Sequence, residues 1–145
     1  MTDHAGALLD RDMGLLLAAA SRAVISLYRP LLKPYHLTHP QYLVMLALHE
    51  EDPRRAGDLS DAVQLTPGTL SPLFKRLELL GYITRQRDQA DERRLLIALT
   101  ERGRGILPDL LRVAAQVHDD VVHRSGADSA AQARLRSMTE LLLDA

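Results

Sequence analysis

The chain has 145 residues, 46% of them hydrophobic and 26% charged, with a formal net charge of −1. That length and composition suit one compact core and exclude a disordered chain or two domains of usual size; the near-neutral balance excludes a protein that coats nucleic acid indiscriminately, though not a local basic patch. There is no cysteine, so disulfides, thiol redox chemistry and cysteine-based metal sites are ruled out.

The first apolar segment predicts a helix over Leu8 to Tyr28, with Leu9, Met13, Leu16, Leu17, Ala20, Val24 and Leu27 in helical period and Pro30 and Pro34 ending or kinking it. Asp10, Arg11, Asp12 and Arg22 interrupt the segment, and no basic start or small-residue cleavage site accompanies it. It is therefore expected to be neither a signal peptide nor a membrane span, and the protein to be cytoplasmic. Leu15, Ala18, Ala19, Ala23 and Ile25 fill much of the remaining helix surface, and a helix apolar on several sides in so short a chain implies a partner subunit.

Thr38-His39-Pro40 predicts a second helix capped by Thr38, with Tyr42, Leu43, Met45, Leu46 and Leu48 inward up to about Glu50. Glu51 to Arg55 reads as a break, and a short helix follows from about Ala56 to Gln64 with Leu59 and Val63 inward. Thr66 then caps a helix with Pro67 in its first turn and Gly81 as its stop. Leu70, Leu73, Phe74, Leu77 and Leu80 form its apolar stripe; Gly68, Thr69, Ser71, Pro72, Lys75 and Arg76 occupy the other face. Pro72 should distort the helix locally. Tyr82 to Arg87 and Leu95 to Leu99 read as strands joined by a charged loop too long for a two-residue turn.

From Lys75 to Arg104 eight cations stand against five anions, so positive charge gathers on this helix and hairpin. Thr100-Glu101 opens a long helix whose first turns Gly103, Gly105 and Pro108 weaken. Ile106, Leu107, Leu110, Leu111, Val113, Ala114, Val117, Val121 and Val122 form its apolar face, and Ser125-Gly126 ends it. Asp128 or Ser129 caps a last helix containing Ala133, Leu135, Met138, Leu141 and Leu142.

The predicted fold class is mainly α with a small β-hairpin wing (α+β). A winged helix-turn-helix over residues 38–100 is flanked by a helical dimerisation region made of 1–37 and 101–145. This order points to double-stranded DNA as partner, with the third helix of the winged unit in a major groove and the wing at phosphates or the minor groove. A two-fold homodimer would set two such helices about one duplex turn apart, matching a palindromic operator. The same pattern also fits a helical dimerisation or partner-binding protein without DNA binding, whose charged helix face is simply solvated.

Asp88-Gln89-Ala90-Asp91-Glu92-Arg93-Arg94, followed by Leu95 to Glu101, resembles the wing signature of the MarR family of bacterial transcription regulators. Similar stretches lie at Ser21-Arg22-Ala23, Tyr28 to Leu32, Leu37-Thr38, Pro40 to Leu46 and Gly68 to Glu78, and together they look most like the OhrR branch, which senses organic hydroperoxides. The resemblance implies a repressor in which Thr66, Pro67, Thr69, Ser71 and Lys75 face the major groove. Arg76 extends that cationic face, Arg93 enters the minor groove and Asp91 orients the wing arginine. The branch's sensing cysteine falls at Gly14, and of the tyrosines that line it one matches Tyr28 while others fall at His39 and Ala18. Thiol oxidation cannot be the switch here. The altered pocket at Gly14, Ala18, Tyr28, His36 and His39 is expected to admit a small-molecule effector instead.

His36 with His39 and His118 with His123 are better read as surface or helix-end residues than as metal ligands, and no metal or cofactor is expected. A charge switch at His39 would fit an imidazole's titration range. Ser21 lacks a neighbouring base and a nucleophile elbow, and Gly103 and Gly105 lack the strand context of a nucleotide-binding turn, so no enzyme is expected.

Overall fold

The computed structural model describes residues 8–91 and 93–145. Asp12, in extended backbone, accepts the amide of Leu15 at 2.7 Å and thereby starts α1 (Met13–Leu32). The expected start at Leu8 is corrected: Leu8 and Leu9 are helical, but a turn at Asp10–Arg11, where the Arg11 and Asp12 amides donate to the Leu8 carbonyl, separates them from α1. Pro30 does not end the helix: Leu32, fully buried, holds the last turn against the core two residues beyond it. A 3-10 turn over Lys33–Tyr35 follows, and His36 reverses the chain with a left-handed backbone, φ 57°.

Thr38 caps α2 (His39–Glu50) in a reciprocal box: the Gln41 amide donates to the Thr38 hydroxyl and the Thr38 amide to Gln41 Oε1. Packed by α1, the next two helices and the sheet, α2 buries Val44 and Ala47 along with Tyr42, Met45 and Leu48. A helix surrounded on several sides cannot show one stripe, which is why Leu43 and Leu46, expected inward, are only half-buried.

The break at 51–55 contains a strand that sequence reading did not anticipate, β1 (Arg54–Arg55). It pairs antiparallel with β3 (Leu95–Leu99), Arg54 opposite Ile97, and β3 pairs on its other side with β2 (Ile83–Arg87), giving the order β1-β3-β2. The hairpin is therefore the greater part of a three-stranded sheet. Between β1 and β2 run α3 (Ala56–Val63) and α4 (Pro67–Leu79). β2 starts at Ile83, one residue later than expected: the Tyr82 carbonyl still accepts the Thr100 amide at 3.0 Å, but the Tyr82 amide donates back to the Leu77 carbonyl at 3.0 Å instead of across the sheet.

The chain divides into two compact units, the first running to Val113 and the second from Ala114. The first holds α1 to α4, the sheet and the first half of α5 (Glu101–Ser125). The second holds the rest of α5 and α6 (Ser129–Leu143), which Asp128 caps by accepting the Ala131 amide at 2.8 Å. No residue of α6 is buried, and Leu135, Leu141, Leu142 and Leu143 are exposed. In α1, Met13 and Leu16 are likewise exposed. Residues 13–35, mean hydropathy 1.4, are long and apolar enough to cross a bilayer by length and composition. At its C-terminal end Leu32 is inside the protein core and Tyr28 packs on α2.

Sequence spacing makes Gly103 a tolerated weak point of α5. The structure assigns it a packing role, since a Cβ there would stand 2.1 Å from the Tyr82 carbonyl oxygen. A Cβ at Gly105 would meet nothing within 4 Å.

Candidate nucleic-acid interface

The Thr66 side chain starts α4 by accepting the Thr69 amide at 3.3 Å, and the two threonine hydroxyls lie 2.9 Å apart. Leu70, Phe74 and Leu77 hold one side of the helix in the core. Thr66, Pro67, Gly68, Thr69, Ser71, Pro72, Lys75 and Arg76 are exposed. The helix passes through Pro72, and the Gly68 carbonyl which that proline leaves without an amide is at the exposed face, where water reaches it. Replacing Thr66 with alanine removes the cap and is expected to cost about 1 kcal/mol, read as a lower denaturant midpoint, while Thr66→Ser keeps most of it.

Two ion pairs fix the hairpin to its surroundings. Glu78, in the last turn of α4, accepts from Arg85 of β2 at 2.9 Å, and this guanidinium holds the Glu78 carboxyl below its ordinary value. At the base of the loop Asp88 accepts the Ala90 amide at 3.0 Å and Arg55 Nε of β1 at 3.0 Å. The Ala90 amide and the Arg55 charge together depress its pKa. The Asp88 amide donates to the Arg94 carbonyl at 2.8 Å, closing the loop. At the tip, Asp91 Oδ1 accepts the Arg93 amide at 3.1 Å and lies 3.4 Å from Arg93 Nε, while Oδ2 lies 3.3 Å from Arg94 Nε. Arg93 itself is 93% exposed. One carboxylate thus orients both tip arginines and leaves Arg93 free to reach outward.

Sequence reading missed Arg55 and the Glu78–Arg85 link. The adjacent arginines 54 and 55 within an apparent break were the available cue: a cation there has little reason to be half-buried unless something receives it. Arg54 donates to the Ala47 carbonyl at 3.1 Å and Arg55 to Asp88.

The residues expected to form an effector pocket separate into three places. Tyr28, His39 and Tyr42 cluster, with ring centroids 4.6 Å apart for Tyr28–His39 and 5.1 Å for Tyr28–Tyr42. Burial lowers the His39 pKa and raises those of both tyrosines. Next to the cluster, His39 and Arg29 line an apolar groove of about 380 Å³ with Ile25, Leu37, Thr38 and Pro40. His36 lines a different groove of about 540 Å³. Gly14 and Ala18 line neither: from Gly14 to Tyr28 is fourteen residues of helix, about 21 Å at 1.5 Å each, so one protomer does not bring the five residues together. Among the described residues no three metal-ligating side chains converge.

Comparison with known proteins bears on the family and the fold. The family described as Transcriptional regulator SarA/Rot matches residues 26–110. The HTH-type transcriptional regulator TtmR of Methylorubrum extorquens is 44% identical over 98 residues, which are 68% of this chain and 50% of that protein. The organic hydroperoxide resistance transcriptional regulator of Bacillus subtilis is 42% identical over 95 residues, 66% of this chain and 65% of its own. The chain thus spans between half and two thirds of the length of these two relatives. Among solved structures, reduced AbfR bound to DNA superposes with a TM-score of 0.81 at 26% identity, covering 99% of this chain and 98% of that one.

Proposed function

We propose that this chain, which belongs to the MarR/SarA family of winged helix-turn-helix transcription regulators, is a homodimeric repressor that binds a palindromic DNA operator and works in the bacterial cytoplasm. The observation that carries this reading is the joint between α4 and the wing. The exposed hydroxyl-and-cation face of α4 and the projecting Arg93 are carried by elements that Glu78–Arg85 and Arg55–Asp88 link. A helix that reads base edges and a wing that reaches the backbone must keep a fixed spacing to grip the same duplex. A DNA-bound relative of nearly full coverage adds support. The homodimer rests on the apolar side chains left uncovered on α1 and α6, Leu16, Leu135 and Leu141 among them. The effector reading rests on the apolar groove beside Tyr28 and His39, which suits a small lipophilic molecule with an anionic end toward Arg29.

Anisotropy of the chain's own upstream DNA, across a salt series and with or without an organic hydroperoxide, tests the reading. Tight, salt-steep binding that peroxide leaves unchanged is expected, by a particle of dimer mass in sedimentation. Absence of sequence-specific binding at any salt would sink it and favour a helical partner-binding role.

A further inference from the structure

Resting on the reading of a homodimer on DNA, we infer that Tyr82 is a positioning residue for operator spacing: without touching the duplex, its hydroxyl sets the tilt of α4 and so the separation of half-sites that the dimer accepts. The backbone of Tyr82 is part of the end of α4. Its amide donates to the Leu77 carbonyl at 3.0 Å and the Gly81 amide to the Glu78 carbonyl at 2.9 Å, with Gly81 left-handed at φ 80°. These two bonds about a left-handed residue close the helix and tie residue 82 to its last turn. The side chain is only 3% exposed, and its hydroxyl donates to the Tyr35 carbonyl at 3.1 Å, in the turn that follows α1. The Arg102 guanidinium of α5 stands over the ring, 5.4 Å from its centre, and the Thr100 amide donates to the Tyr82 carbonyl at 3.0 Å, so the ring has little freedom to swing. One phenol therefore spans from the end of α1 to the end of the recognition helix. A purely apolar ring would fill the same core position; the hydroxyl adds a directed bond between the two elements. The helix α4 has 13 residues. It is about 20 Å long, so a tilt of about 10° moves one end against the other by about 3 Å, close to one base-pair rise. Leu16 of α1 is among the exposed side chains on which the homodimer rests. The angle between α1 and α4 then decides how far apart the two recognition helices lie across the two-fold, a distance that a palindromic operator matches in its half-site spacing.

The test measures affinity by anisotropy for the operator in the chain's own upstream DNA and for the same duplex with one base pair inserted at, or removed from, its centre. Wild type should prefer the native spacing. Tyr82→Phe keeps the ring and loses only the bond that an altered spacing has to break, so it should narrow that preference by about two- to tenfold, the factor that corresponds to one hydrogen bond. Its salt slope should stay that of wild type, because no phosphate contact is lost; a lower slope would put Tyr82 at the DNA itself and overturn the positioning role. Val44→Ala controls for lost stability. It removes buried methyl groups of α2 and leaves the bond intact, so it should lower the melting temperature at least as far as Tyr82→Phe and keep the wild-type preference. An undiminished preference in Tyr82→Phe, equal narrowing in both variants, or a wild type that binds all three duplexes alike overturns the inference while leaving the DNA-binding reading intact. Failure of wild type to bind any of the duplexes removes that reading itself. If Tyr82→Phe does not fold, Pro34→Gly loosens the turn on the acceptor's side at an exposed residue and should narrow the preference in the same direction. An unchanged preference there overturns the inference equally.

Discussion

Gly103→Ala is expected to destabilise the protein by about 1 to 3 kcal/mol or more, the range of overpacking in a well-filled site. The added Cβ would stand 2.1 Å from the Tyr82 carbonyl oxygen and 3.2 Å from Leu99 Cδ2. Neither neighbour can retreat. The Tyr82 carbonyl is held by the Thr100 amide, and the Thr100 hydroxyl bridges the Gly81 carbonyl and the Gly103 amide. The end of α4, the start of the wing and the start of α5 meet at this joint, so strain here should also loosen DNA binding. Gly105→Ala, two residues on and facing open space, is expected to stabilise by about 0.5 to 1 kcal/mol, because alanine suits a helix interior better than glycine. Paired thermal or urea melts check the opposite signs; equal shifts for the two variants would refute the close approach.

Arg93→Ala is expected to weaken operator binding roughly tenfold to a hundredfold, the cost of losing one groove or backbone arginine, and to reduce the salt slope by about 1. Stability should hardly change, since the side chain is 93% exposed and its ion pair with Asp91 lies in solvent. Asp91→Ala leaves the charge in place and removes its orienting partner, so it should weaken binding less while keeping the slope. Anisotropy over a salt series with a parallel melt separates these outcomes. An Arg93→Ala variant that binds as wild type at every salt would mean that the wing is not at the DNA.

The capping of α4 was legible because its determinants are local: Thr66, Pro67 and Gly81 act within a turn of themselves, and the helix ran where they placed it. The burial of Leu70, Phe74 and Leu77 likewise follows from spacing alone. β1 was not legible. A strand of two residues has no period to detect, and its existence depends on Ile97 and Leu96, some forty residues later. The same holds for Arg55 and Asp88, 33 positions apart. Gly103 shows the other limit, since its spacing spoke of helix weakness while its reason is a carbonyl on a different element. The exposed positions of α4 and the wing could be named from the chain, but the ion pairs that link them are tertiary.

The length of α1 bears on how a ligand would be counted. Gly14 and Tyr28 sit fourteen residues apart on one helix, so in the proposed homodimer a cavity joining them would be closed by the second chain. A molecule seated there would be shared, two equivalents per pair, and would act as glue. Its apparent affinity would weaken on dilution, as mass action requires when the ligand binds the assembled form alone. A titration repeated at two protein concentrations would therefore distinguish such a shared seat from the groove beside His39, which one chain lines by itself.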